Sequence, residues 1–194
     1  RRLLFAKQLL TETALPITTV AMAAGFGSLR RFNAAFREAY RMAPRDLRRE
    51  PGSARRGGDT LVLRLDYRPP YDFAGVLGFL RGRALPGIEV VDEQTYSRVI
   101  AGAGDARGWL RVSAWPGEHA LKLELHAPLA SQLLDVVQRL RRMFDLDADP
   151  RAIDDTLSRD PRLAPLLRRW PGTRLPGGWD GFEVAVRAVL GQQV

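Results

Sequence analysis

Residues 49–60, "REPGSARRGGDT", divide the chain into two parts whose apolar residues follow different periods. Before them, leucines, alanines and aromatics recur every three or four residues. After them Leu61, Leu63, Leu65 and Tyr67 alternate with Arg64, Asp66 and Arg68. A 3.6-residue period builds helices and a two-residue period builds half-buried strands, so no single uniform architecture accommodates the whole chain. The dividing stretch has no apolar periodicity and is dense in Gly, Pro, Ser and charge, the composition of a flexible linker.

Charge changes at the same place. Residues 1–57 hold 12 Lys+Arg against 4 Asp+Glu, and the remainder holds 18 of each, so the net charge of +8 belongs to the first part. A basic module ahead of a neutral one is the asymmetry expected when one module sits on phosphate backbone. An apolar fraction of 45% with 27% charged residues is that of a soluble globular protein. The chain has no cysteine, which excludes disulfides, thiolate zinc sites and cysteine nucleophiles within it. No apolar run reaches the ~18 residues of a membrane span, and the start is amphipathic, unlike a signal-peptide core. A cytoplasmic, nucleoid-associated monomer is expected. His119 and His126 are seven apart and fall on opposite faces of a strand, so they share no metal. There is no nucleophile–base pair and no glycine-rich phosphate loop; neither cofactor nor metal is expected.

In the first part, Leu3, Ala6 and Leu10 give residues 2–11 a helical face. "LPITTVAMAAGFGS" follows, with Thr18 as expected N-cap, Ile17 and Met22 as a hydrophobic staple, and Gly25 where a left-handed residue ends the helix. Ser28 caps a second helix with Leu29, Phe32, Ala35, Phe36, Ala39 and Tyr40 on one side and Arg30, Asn33 and Arg37 on the other. Two helices joined at a glycine turn, the second with a basic outer face, form a helix-turn-helix, whose second helix reads base edges in the major groove.

In the second part a strand from residue 61 stops at Pro69 and Pro70, and Asp72 caps a helix to about Arg83, apolar nearly all round and expected to be buried. Strand-like runs "EVVDEQTYSRVI", "GWLRVSAW" and "HALKLELHA" precede a helix over 129–144. Strand, helix, three strands, helix is an α+β layer with an antiparallel sheet. Asp180 caps a last helix, Glu183 completes a capping box, and Phe182, Val186, Val189 and Leu190 are its expected buried stripe. The closing "AVLGQQV" reads as the middle of an apolar helix, so the chain is expected to be a fragment.

Residues 6–48 resemble the C-terminal half of the AraC-family DNA-binding domain, through Ile17, Val20, Ala21, Gly25, Phe26, Ser28, Phe32, Phe36 and Arg37, then Pro44, Leu47 and Arg48. The resemblance implies that Arg30, Arg31 and Asn33 read bases, with Ser28 at a phosphate and Arg37 on the same face. It also implies one of the family's two helix-turn-helix units, and one unit neutralises fewer phosphates and binds more weakly.

"YRPPYDFAGVLGFLRGRALPGIEVVD", "MFDLDADP" and "LPGGWDGFEVAVRAVLGQQV" are similar to DNA-3-methyladenine glycosylases of the AlkA type. The implied organisation is a helix-turn-helix at 1–50, a linker at 51–59, an AlkA-type N-terminal α+β domain of TATA-binding-protein type at 60–170, and the truncated start of an all-α helix-hairpin-helix domain at 171–194. The resemblance makes Phe79 a pocket aromatic and Gln193 the wedge that fills the gap left by an extruded base. Alkylated purines are cationic and favour aromatic faces. It places the catalytic aspartate beyond the C-terminus, so this segment is expected to lack glycosylase activity. The implied whole is an adaptive-response fusion acting on promoter DNA and alkylated double-stranded DNA; the alternative is a transcription regulator with a non-catalytic glycosylase remnant.

Overall fold

The computed structural model describes residues 2–12, 15–47, 59–102 and 107–192. The chain divides into two compact units, Arg1–Leu63 with Arg98–Arg111 and Leu123–Val136, and Arg64–Ser97 with Val112–Lys122 and Val137–Val194.

The first unit contains α1 (Arg2–Glu12), α2 (Ile17–Ala23), α3 (Leu29–Tyr40) and α4 (Pro44–Leu47). Phe5, Ala6, Leu9 and Leu10 bury the inner side of α1. Pro16, not Thr18, stands at the N-cap position of α2, at φ −52° and ψ 143°, and makes no side-chain cap. Thr18 therefore lies inside the helix. Met22 is 53% exposed, so the expected staple is not formed. At the other end Gly25 takes φ +76°. Its N–H donates to the Met22 carbonyl at 2.8 Å and that of Phe26 to the Ala21 carbonyl at 2.9 Å, the paired bonds of a Schellman ending. Ser28 caps α3 by accepting from the Arg31 N–H at 3.2 Å. Phe26, Phe32, Phe36 and Tyr40 form a continuous ring ladder with centroid spacings of 5.2, 5.5 and 4.7 Å. That ladder fixes which face of α3 is turned inward. α2 packs on α1, on α3 and on a 3-10 turn, Ala127–Gln132.

The strands are β1 (Thr60–Asp66), β2 (Glu89–Val91), β3 (Thr95–Ala101), β4 (Arg107–Ala114) and β5 (Ala120–His126), and they form one five-stranded antiparallel sheet in the order β1-β5-β4-β3-β2. The Ala127 N–H donates to the Asp59 carbonyl, and the Tyr67 N–H to the His119 carbonyl, setting the β1–β5 register. The single run expected over 89–100 is instead a hairpin. Asp92 ends β2, and its carboxylate accepts from the backbone N–H groups of Gln94 and Thr95 and from the Thr95 hydroxyl. A side chain that supplies the turn's acceptors substitutes for a glycine signal.

The second unit contains α5 (Phe73–Arg81), α7 (Pro150–Leu157), α8 (Ala164–Arg169) and α9 (Gly181–Gly191). Asp72 caps α5 through the Gly75 N–H at 2.8 Å. Only Val76, Leu77 and Leu80 of this helix are buried, so the expectation of an all-round buried helix is corrected. The helix expected over 129–144 is preceded by the 3-10 turn Ala127–Gln132, which contains Pro128, and becomes α6 only over Leu133–Met143.

A loop over 170–178 closes on the start of the second part. Gly172, at φ +78°, lies so near the chain at Tyr71 that a Cβ would meet its N at 2.5 Å, and the Asp72 N–H donates to the Gly172 carbonyl at 2.9 Å. Buried Arg174 donates to the Arg68 and Pro70 carbonyls at 2.8 and 2.9 Å and lies over the Tyr71 ring. The Gly177 N–H donates to the Met143 carbonyl at 3.0 Å. The loop thereby delivers Trp179 and the start of α9 to fixed positions.

α9 departs most plainly from its expected burial. Asp180 caps it through the Glu183 N–H at 2.8 Å as expected. Yet Phe182, Val186, Val189 and Leu190 are 82, 39, 73 and 71% exposed. The face turned inward is the one carrying Glu183 and Arg187, because both enter an ion-pair network there.

Candidate nucleic-acid interface and aromatic cavity

The ring ladder inside α3 leaves Arg30, Arg31 and Arg37 exposed and Asn33 half-buried. Arg30, Asn33 and Arg37 follow i, i+3, i+7 spacing, so they share one face of the helix. Among the described residues these three arginines form no ion pair. Ser28 stands at the amino end of the same helix, and a hydroxyl that accepts from Arg31 keeps its own proton for donation. A helix carrying uncompensated arginines, an asparagine and a capping serine at one end has the donors needed for phosphates and for base edges.

The second unit encloses a cavity of about 260 Å³ between α5, the start of β2, residues 176–179 and α9. Its aromatic walls are Phe79, 39% exposed, and Trp179, which is buried under the Arg139 guanidinium. Its charged residues are Arg83, Glu89, Glu183 and Arg187. Glu89 is buried and well satisfied: it accepts from the Tyr96 hydroxyl at 2.7 Å, the Leu85 N–H at 2.9 Å and Arg187 Nη2 at 2.8 Å. Glu183 accepts from Arg187 Nε at 3.0 Å and Nη2 at 2.6 Å. Burial would lower the pKa of Arg187, but the hydrogen bonds to Glu89 and Glu183 outweigh it and the net direction is up. Arg187 also donates to the Arg83 carbonyl. The Arg83 guanidinium lies 3.9 Å above the Phe79 ring centroid and donates to the Phe79 carbonyl at 3.2 Å.

This cavity can hold a planar ring against aromatic walls. It is poorly equipped for proton transfer, since both carboxylates are paired with Arg187. Phe79 lies in its wall; Gln193 lies outside the described residues. Sequence reasoning does not reach Arg83, Glu89, Trp179 or Arg187. Arg83 and Arg187 each follow their partner at i+4, a spacing that brings helical side chains together, but that spacing alone does not reveal a cavity wall. His119 packs on Tyr67 and His126 on Trp109, so the two histidines are apart. Among the described residues no cluster of His, Asp or Glu could hold a metal, and no helix is long and apolar enough to cross a membrane.

The sequence profile of the AlkA N-terminal domain matches residues 62–180, and that of a helix-turn-helix domain matches residues 1–50. A "Probable bifunctional transcriptional activator/DNA repair enzyme AlkA" of Mycobacterium tuberculosis is 39% identical over 201 residues, covering 100% of this chain and 39% of that protein. "DNA-3-methyladenine glycosylase 2" of Escherichia coli is 37% identical over 130 residues, covering 67% of this chain and 44% of that protein. The chain thus spans less than half the length of these curated relatives. With its AraC-type helix-turn-helix in front and more than half its residues matched behind it, the chain belongs to the AlkA N-terminal domain family.

Proposed function

We propose that the chain is the DNA-reading and base-holding part of an alkylation-response protein at the nucleoid. In that protein an AraC-type regulator is joined to a base-excision glycosylase that hydrolyses the N-glycosidic bond of alkylated bases. The observation that carries this is α3, where Arg30, Arg31 and Arg37 are exposed and, among the described residues, form no ion pair, with Arg30 and Arg37 sharing a face with Asn33 on a helix capped by Ser28. The names of the relatives, activator with repair enzyme in one case and glycosylase in the other, support both halves of the reading.

Selection of bound duplexes from a random pool by the purified chain tests it. Arg30→Ala, Arg31→Ala and Asn33→Ala each relax base preference at discrete positions, by ~1–3 kcal/mol per lost bidentate pair. Ser28→Ala and Arg37→Ala weaken all duplexes alike. A pool recovered without any base preference contradicts sequence-specific reading.

The 194 residues alone are expected not to excise bases. A glycosidic bond breaks through a cation-like transition state that needs an unneutralised carboxylate beside it, and Arg187 claims both carboxylates of the cavity. Release of 3-methyladenine from methylated DNA by the purified chain would contradict the expected inactivity.

A further inference from the structure

The second part of the chain is neutral in sum, yet its charge is not evenly spread. Residues 158–174 hold five arginines, Arg159, Arg162, Arg168, Arg169 and Arg174, against one acid, Asp160. Arg174 is buried, and Asp160 pairs with Arg162 at 3.2 Å. Arg159, Arg168 and Arg169 remain, all exposed. Among the described residues none of these three forms an ion pair, although Asp154 and Asp155 stand on the preceding α7. The dipole of α8 favours cations in its last turn, which accounts for Arg168 and Arg169 but not for Arg159 outside the helix. Nor does it account for Trp170, a large ring left 49% exposed with the Arg169 guanidinium 4.8 Å from its centroid.

The backbone beneath this ring is held. The Trp170 N–H donates to the Leu166 carbonyl at 2.9 Å, and its carbonyl accepts from the Thr173 hydroxyl at 2.8 Å. A guanidinium resting on a fixed ring has given up rotamer freedom before a ligand arrives, so binding an anion costs it less entropy. We propose that Arg159, Arg168 and Arg169, with Trp170 pre-ordering Arg169, form a second duplex-binding surface that holds the phosphate backbone and reads no bases. This rests on the reading of the chain as a DNA-binding protein. A guanidinium fork matches two phosphate oxygens. Residues 158–174 contain no Asn or Gln to read adenine. The six residues of α8 span only ~9 Å, too short to lie along a major groove and follow several base pairs.

The Trp170 indole N–H resonance of the purified chain, assigned with Trp170→Phe, reports on this surface directly when a duplex of arbitrary sequence is titrated at several salt concentrations. It is expected to shift with duplex, and to do so still after Arg30→Ala, Arg31→Ala and Arg37→Ala together have removed the α3 donors. Log affinity read from it should fall with log salt at a slope of about −3, and Arg168→Ala with Arg169→Ala should flatten that slope by about 2. Arg169→Lys keeps the slope. In the triple α3 background, anisotropy of a labelled duplex should show Trp170→Ala weakening binding about threefold. Arg169→Ala added to Trp170→Ala should then cost less than Arg169→Ala alone. Equal melting temperatures of the arginine variants and wild type confirm that folding is intact. Duplex binding without a Trp170 shift, or a slope unchanged by the double substitution, overturns the second surface alone. No duplex binding by the wild-type chain overturns the DNA reading and the proposal with it. A Trp170 shift that phosphatidylglycerol vesicles produce as readily as duplex, at equal phosphate concentration, overturns the assigned partner.

Discussion

Arg174 holds the loop over 170–178 by donating to two backbone carbonyls, those of Arg68 and Pro70. Arg174→Met keeps much of the packing volume but leaves both carbonyls without those donors. It should cost ~2–4 kcal/mol in urea unfolding. A loss under ~0.5 kcal/mol would show that water replaces the guanidinium freely. Gly172→Ala should cost at least ~2 kcal/mol by the same measurement, since a positive φ and a Cβ against the Tyr71 backbone act together. Burial also pushes the Tyr71 phenol up, against the opposing charge of Arg174. Asp92 shows the opposite direction. The Gln94 backbone bond and the Thr95 hydroxyl hold its carboxyl below the usual range. A depressed carboxyl stabilises the fold fully above its unfolded pKa, and the contribution is lost as pH falls through the lowered folded value. Local opening at the Gln94 and Thr95 amides should therefore become easier in acid, seen as reduced exchange protection, and Asp92→Asn should remove most of that pH dependence.

Elements governed by local chemistry are legible in the sequence. Ser28, Asp72 and Asp180 cap α3, α5 and α9 as their spacing predicts, because a cap needs only the next turn of backbone. Where an element's orientation depends on residues far along the chain, local pattern fails. The apolar period of α9 points to a buried stripe, but the partners that turn the helix are Glu89 and Arg83, about a hundred residues away, and both accept hydrogen bonds from Arg187 of α9. Phe182→Ser should accordingly change the stability of this chain by less than ~0.5 kcal/mol, whereas Phe36→Ala, at the centre of the α3 ladder, should cost ~3–5 kcal/mol. Thermal unfolding of the two variants separates them; equal losses would mean that Phe182 is buried after all.

Across the chain as a whole, the change of period and the segregation of charge are legible from the amino-acid order alone, because both are properties of composition along the chain. The pairing of β1 with β5 is not, since strands about sixty residues apart carry no mark of their partner. Helical period alone exposes the α3 face. It cannot expose the cavity, whose walls come from separate segments, and Phe79 is reached only through resemblance. Everything proposed for the basic first part depends on α3 sitting on DNA. Titration of the chain against a duplex at several salt concentrations probes that contact without intermediaries. Log affinity should fall linearly with log salt, and Arg37→Ala should flatten the slope by about 1. A slope unchanged by that substitution would contradict the placement of DNA on α3 and move the interface elsewhere.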